Sequence, residues 1–306
     1  MDGHVSEARM PGSVRSRPCG NGASPEALVS DELGFARQYV FLVGCPRSGT
    51  TWLQLLLWQH REISSCMETH LFKYISPVVE TWKHYKGDRV GLQYLLSEEE
   101  FVRLLRSITL HVLNKIGNSA VIVEKTSEHV WWAKLILRLI PEGRFIHMIR
   151  DPRAVTSSLI SAGRSWGSHW ASTSAAENAR CWVDAVSAGR EIRAMTDRYL
   201  EVRYEDLLVD GVTNLKRVFD WLELECEPGF CERALETCAL DRLKAKAVQA
   251  PWPRDVQPDG FYRKGNADSW REDLPRSTIE LIESIAGDLM RQLGYAPAAS
   301  TAGRSV

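Results

Sequence analysis

The run YVFLVGCPRSGTTWLQLLLW, residues 39–58, constrains this chain more than any other stretch. Its first five residues, Tyr39–Val43, are apolar and rich in β-branched and aromatic side chains, which reads as a strand buried on both faces. The strand passes into Gly44-Cys45-Pro46-Arg47-Ser48-Gly49-Thr50-Thr51, and a helical segment over Thr50–Gln59 follows. Gly44 and Gly49 hold the G-x-x-x-x-G spacing of a phosphate-cradling loop, with Thr51 at its Ser/Thr position. Such a loop offers an anion its backbone N–H groups and the positive end of the following helix. The lysine that usually follows the second glycine is absent: Thr50 stands there, and the nearest cation is Arg47. That lysine is central to phosphoryl transfer from ATP or GTP, so its loss argues against a standard nucleotide triphosphatase or kinase.

The rest of the chain repeats the alternation of short apolar runs with helical ones that marks a parallel sheet covered by crossover helices. Further strands are expected at Ala120–Val123, Arg144–Ile149 and Leu200–Arg203. Helices are expected at His129–Leu139, Arg153–Ser161, Ala175–Thr196, Val212–Leu222 and Ser277–Leu293. The fold class is therefore α/β, a central parallel sheet flanked by helices in one domain over 37–295, with a disordered leader at 1–36 and a disordered tail at 296–306. Open parallel sheets bind ligands beyond their strands' C-terminal ends. The exits here are polar: Glu124-Lys125-Thr126 after the second expected strand, Arg150-Asp151-Pro152-Arg153 after the third, Tyr204-Glu205-Asp206 after the fourth. Asp151 and Pro152 suit a helix start, and Arg153 reads as a solvated helix residue.

The formal net charge of −1 removes the case for nonspecific attraction to nucleic acid. The longest apolar stretches fall well short of the roughly 20 residues a membrane span requires, and the first residues lack the apolar core of a secretory signal. The 7 cysteines, an odd number without zinc-type spacing, fit a reducing compartment, so a cytoplasmic location is expected.

PRSGTTW resembles the 5′-phosphosulfate loop of sulfotransferases that use 3′-phosphoadenylyl sulfate (PAPS), in which a basic residue precedes an S/A-G-T-T-W run. The resemblance implies the P-loop-like sulfotransferase fold, with Arg47, Ser48, Gly49, Thr50 and Thr51 around the 5′-phosphate end of PAPS and Arg47 near the bridging oxygen of the leaving group. Trp52 would pack near the adenine, a core position being equally open to it. RFIHMIRDPRAVTSSLI is similar to the family's second motif, which implies Arg150 and Ser158 as a clasp on the 3′-phosphate. FYRKGNADSW resembles the R-K-G-x-x-G-D-W segment that folds over the nucleotide: Arg263, Lys264 and Gly265 match, while Ala267-Asp268-Ser269 depart from it. EVRYEDLL resembles the strand-to-helix step that makes Tyr204 a base-site candidate. These matches run from about residue 39 to 270 in the family's order.

In sulfuryl transfer an acceptor attacks in line while negative charge grows on the departing phosphate oxygen. Cations belong at that oxygen and a base at the acceptor; the resemblance gives the first role to Arg47 and Lys125, and no metal is implied. For the base, the histidine of the phenol- and steroid-sulfating branch is replaced by Ser127. Glu124 matches the catalytic glutamate of the branch that sulfates glucosamine in heparan sulfate. Glu68, in CMETH, resembles that of tyrosylprotein sulfotransferases. Glu124 is the slightly preferred of the two, and His70 and His129 are weaker choices. Trp131, Trp132, Trp166, Trp170 and Trp252 are candidates for lining an acceptor site or for the core. The expected acceptor is a small molecule or carbohydrate, and a homodimer is compatible with the chain. The rival readings are an atypical ATP-using kinase and a nucleotide-binding protein without catalysis.

Overall fold

The computed structural model describes residues 37–84, 91–253 and 257–298; the expected leader at 1–36 and most of the expected tail, 299–306, lie outside them. Five strands, β1 (Gln38–Gly44), β2 (Ile63–Ser65), β3 (Val121–Glu124), β4 (Arg144–Ile149) and β5 (Tyr199–Arg203), form one parallel sheet in the order β2-β3-β1-β4-β5. The helices, in chain order, are α1 (Thr50–Trp58), α2 (Leu71–His84), α3 (Glu98–Asn114), α4 (Ala133–Leu139), α5 (Pro152–Gly163), α6 (Ala175–Met195), α7 (Tyr204–Val209), α8 (Gly211–Trp221), α9 (Phe230–Thr237), α10 (Leu240–Lys244), α11 (Trp270–Asp273) and α12 (Arg276–Gln292).

Alternation along β1 sorts the core into two layers. Tyr39, Phe41 and Val43 pack with Phe72, Leu113, Ile136 and Trp182 on one face, while Val40 and Leu42 pack with Leu53, Leu56, Val218 and Phe219 on the other. Burial on both faces is what the nearly continuous apolar strand runs require. All four expected strands are present to within one residue at each end.

The edge strand β2 has no counterpart in the sequence reading. Its three residues, Ile-Ser-Ser, carry no apolar pattern, and its serines are held by side-chain bonds instead: Ser65 Oγ donates to Val123 O at 2.7 Å, and Ser64 Oγ to Ser119 Oγ at 2.8 Å. α2 and α3 are likewise additions; Pro77 interrupts the helical pattern of α2, and α3 is announced by a Ser97/Glu100 capping box. The helix expected to start at His129 begins instead as a 3₁₀ helix over Ser127–Trp132, where His129 N donates to Thr126 O three residues back at 2.9 Å.

Asp151 caps α5 and Pro152 occupies its first turn, as expected. Arg153 is not solvated: it is buried at 3% exposure, bound to Asp151 Oδ2 at 2.6 Å and Glu283 Oε1 at 2.7 Å. Two carboxylates from opposite directions stabilise the charge that burial alone would penalise.

Candidate active site

The C-terminal ends of the five strands open onto one cavity of about 760 Å³, within the range of small-molecule sites. It is lined by Arg47, Gly49, Thr50, Thr51, Trp52, Glu68, Lys125, Arg150, Ser158, Tyr204, Arg263, Lys264 and Gly265, but not by Ser48, Glu124 or His129. The loop after β1 makes one wall. Gly44 has φ +154°, and a Cβ there would lie 2.4 Å from Met148 O; Gly49 has φ +98°, and a Cβ there would lie 2.5 Å from Tyr204 Cδ2. Both positions therefore demand glycine. The first turn of α1, Thr50-Thr51-Trp52, faces the cavity; Thr50 and Thr51 leave their amides without backbone partners there, while Trp52 N donates to Gly49 O at 3.0 Å. Thr50 Oγ1 and Ser127 Oγ are 3.0 Å apart, tying the loop to the exit of β3. Ser48 lies behind the wall, and its fully buried Oγ has no protein partner.

Arg47 adopts a left-handed conformation, φ 72°. Its guanidinium packs against Phe261 and Trp166, 4.5 and 5.2 Å from their ring centroids, donates through Nε to Ser158 Oγ at 3.1 Å and also bonds Phe261 O at 2.6 Å. Burial, reinforced by Arg150 and Arg263, lowers its pKa to about 10. Arg150, 9% exposed, lies over the Tyr204 ring at 4.1 Å and donates to Asn266 O at 3.1 Å and to Arg47 O at 3.4 Å, while its Nε has no protein partner. Ser158 and Arg150 thus meet through Arg47, which stands between them. Trp52 contacts Tyr204 edge-on, centroids 5.5 Å apart, and its Nε1 donates to Cys238 O at 3.2 Å. Burial raises the Tyr204 phenol above its ordinary pKa.

Arg263 and Lys264 both reach the α11 carboxylate of Asp273: Arg263 at 2.8 Å with a second bond to Ser157 Oγ at 2.9 Å, and Lys264 at 2.8 Å. Gly265 follows with φ +61° against Leu240, where a Cβ would lie 2.7 Å from Cδ2.

The two glutamates separate. Glu68 lines the cavity and accepts from buried Lys125 Nζ at 2.7 Å, with His70 Nε2 at 3.6 Å from its other oxygen. Glu124 is 1% exposed and does not reach the cavity; Thr126 Oγ1 at 2.6 Å, Thr69 Oγ1 at 2.7 Å and His129 Nδ1 at 2.7 Å surround it. Burial pushes its pKa up, but His129 and the two threonines outweigh that and hold the carboxyl below the ordinary value. Of the tryptophans proposed for the acceptor end, Trp166, Trp170 and Trp252 line the cavity and Trp131 and Trp132 do not.

With this geometry in place the comparisons with known proteins are decisive: the sequence profile of the Sulfotransferase family matches residues 39–228, more than half of the chain. The chain belongs to the sulfotransferase family. It is similar to protein-tyrosine sulfotransferase A of Caenorhabditis elegans, 22% identical over 86% of this chain and 68% of that protein. Against the protein-tyrosine sulfotransferase of Drosophila melanogaster it is 24% identical over 85% of this chain, but spans only 52% of that protein. Its fold is that of a mouse sulfotransferase complexed with PAP, with a TM-score of 0.58 at 17% identity over 88% of this chain and 96% of that one.

Sequence reasoning missed several residues of this sulfotransferase cavity. Ser127, the partner of Thr50, was read only as the absent base, and Ser157, which lies behind the wall beside Ser158 and bonds Arg263, was not singled out although it sits within a recognised motif. Phe261, which holds Arg47 by ring and carbonyl, was adjacent to a recognised motif. Among the described residues no helix is long and apolar enough to cross a membrane, and no group of three or more His, Cys, Asp or Glu is arranged to hold a metal ion.

Proposed function

We propose that this chain transfers the sulfuryl group of PAPS to an acceptor hydroxyl and releases PAP. The observation that carries this reading is the placement of two cationic subsites in one cavity: Arg47 and Lys125 beside the phosphate loop, and Arg150 with Arg263 and Lys264 toward the exits of β4 and β5. ATP has no group for the second subsite. The orphaned Arg150 Nε is a donor that fits an anionic phosphate oxygen.

In the proposed reaction Glu68 takes the acceptor's proton as the acceptor oxygen bonds to sulfur. Lys125 and Arg47 stabilise the charge that develops on the phosphate oxygen as its bond to sulfur breaks. Lys125 serves both partners, since its ammonium also holds Glu68 Oε1 in place. Arg150, stacked on Tyr204, anchors the nucleotide through its 3′-phosphate, with Ser158 assisting and Trp52 and Tyr204 beside the base.

The sequence points to a small-molecule or carbohydrate acceptor. Two observations favour a phenolic hydroxyl, that of a tyrosyl residue included: the relatives are named protein-tyrosine sulfotransferases, and the glutamate on the cavity wall is Glu68 of CMETH, not Glu124. Tryptophans at the open end suit a flat acceptor. The test is transfer from labelled PAPS to a tyrosyl peptide, a small phenol and a glucosamine oligosaccharide, with Glu68→Gln beside the native chain. Transfer to a phenol, lowered by about 10²–10⁴ in Glu68→Gln, is expected. Transfer to none of the three, or an unchanged rate in Glu68→Gln, overturns the reading.

A further inference from the structure

The buried Glu124 carboxylate is the hub of a network that ends on four successive backbone amides at the start of α2. Thr69 N reaches Glu124 Oε1 directly, at 3.4 Å. His70 N donates to Thr126 Oγ1 at 3.3 Å, and that hydroxyl donates onward to Glu124 Oε1 at 2.6 Å. Leu71 N donates to Thr69 Oγ1 at 3.1 Å, which passes its own proton to the same Oε1 at 2.7 Å. Phe72 N donates to His129 Nε2 at 3.4 Å, which leaves the ring proton on Nδ1, facing Glu124 Oε2 at 2.7 Å. These are the amides that a helix start leaves without intrahelical partners, and the carboxylate lies where the helix dipole favours negative charge.

The segment so held carries Glu68 and the strained His70, whose φ is 50°. A left-handed non-glycine residue persists only where its surroundings over-determine it. Glu124 also precedes Lys125 in the chain, so one buried group fixes both members of the Glu68–Lys125 pair.

We infer that Glu124 is the positioning residue of this active site: through Thr69, Thr126 and His129 it fixes the turn at 67–70 so that Glu68 stands over Lys125. The inference rests on the sulfotransferase reading with Glu68 as base. A misplacement of about 1 Å at a reacting group costs on the order of 100-fold in rate.

The experiment compares Thr69→Val, Thr69→Ser, Glu124→Gln and Glu68→Gln by steady-state kinetics across pH and by amide hydrogen exchange. The groups facing Glu68 are Lys125, His70 and, at longer range, Arg47. Thr69→Val, which cuts one spoke and leaves the hub its other donors, should lower kcat by up to about 100-fold with KM for PAPS little changed, and Thr69→Ser should restore it. Glu124→Gln should retain the acid limb of the rate profile, which Glu68→Gln should abolish. Amides 69–72 should exchange faster in Thr69→Val and Glu124→Gln. An acid limb lost in Glu124→Gln but kept in Glu68→Gln would make Glu124 the base and overturn the inference. So would a Thr69→Val variant with native rate and native exchange at 69–72. A native chain without sulfuryl transfer counts against the functional reading, and the exchange result then decides the positioning claim by itself.

Discussion

Replacing Arg150 with alanine isolates the group proposed to distinguish a 3′-phosphorylated donor from ATP. The residue is 9% exposed, and its guanidinium lies over the Tyr204 ring at 4.1 Å. Its Nε is unpartnered, and its reach to Arg47 O, at 3.4 Å, is long for a hydrogen bond. Two donors are therefore free for an anion at little loss, and only the 3.1 Å bond to Asn266 O is a strong prior commitment. A hydrogen bond to a charged group contributes about 1.5–3 kcal/mol, and giving up a neutral one costs about 1. Two such bonds less one give about 2–5 kcal/mol, a loss of roughly 30- to 5000-fold in PAP affinity. Calorimetric titration with PAP, ATP and AMP reads this directly. Arg150→Lys should fall between, because a single ammonium keeps the charge and loses the fork. ATP bound by the native chain as tightly as PAP, or equal losses for PAP and ATP in Arg150→Ala, would refute the assignment.

Gly49→Ala should destabilise the chain by at least about 1–3 kcal/mol, because it forces a Cβ to within 2.5 Å of the Tyr204 ring at φ +98°; native thermal stability and native PAP affinity together would contradict this. Lys125→Met keeps the side-chain length but removes the ammonium 2.7 Å from Glu68, so single-turnover transfer should drop about 10²–10³-fold, and PAP, whose 5′-phosphate carries the fully developed charge, should bind more weakly as well. His147 is fully buried, and burial, with help from Arg190, lowers its pKa from 6.5 to about 3. The unfolded chain therefore takes up a proton below about pH 6.5 that the folded chain refuses, so its stabilising contribution is complete above that pH and declines toward about pH 3. Urea denaturation should show a loss of about 2 kcal/mol between about pH 6.5 and pH 5, which His147→Leu should flatten.

The strands and the phosphate loop were legible because each is specified locally. Tyr39–Val43 is apolar at every position, and Gly44 and Gly49 answer to backbone geometry that no other residue tolerates. Glu124 and Glu68 illustrate the opposite case. Both sit at motif positions, yet which one meets the cavity depends on β2 and the start of α2. These elements are built from Ser-Ser pairs, threonine hydroxyls and a proline-bearing helix, not from an apolar period. Arg153 was misjudged for a related reason: its second carboxylate, Glu283, lies 130 residues away in sequence. Arg47 was placed correctly in the loop, but its packing on Trp166 and Phe261 depends on segments more than 100 residues distant.

Strand order explains why these scattered residues divide into two functional groups. β1 lies at the centre, β3 and then β2 on one side, β4 and then β5 on the other. The chain leaves β1 toward β2 and leaves the adjacent β4 toward β5, in opposite directions, which makes the ends of β1 and β4 the switch point where open parallel sheets open a crevice. The groups proposed for the acceptor, Glu68 and Lys125, follow β2 and β3. Those proposed for the nucleotide, Arg150 and Tyr204, follow β4 and β5. The phosphate loop with Arg47 leaves from β1 between them, so the bond that breaks must lie over that loop, within reach of both sides. His70 and Arg47 are two of the four non-glycine residues with left-handed φ among the described residues, and both line this crevice, one on the acceptor side and one at the switch point. Strain concentrated there and nowhere else on the cavity wall is what a site needs if its base and its central cation are to be held in place before either substrate binds.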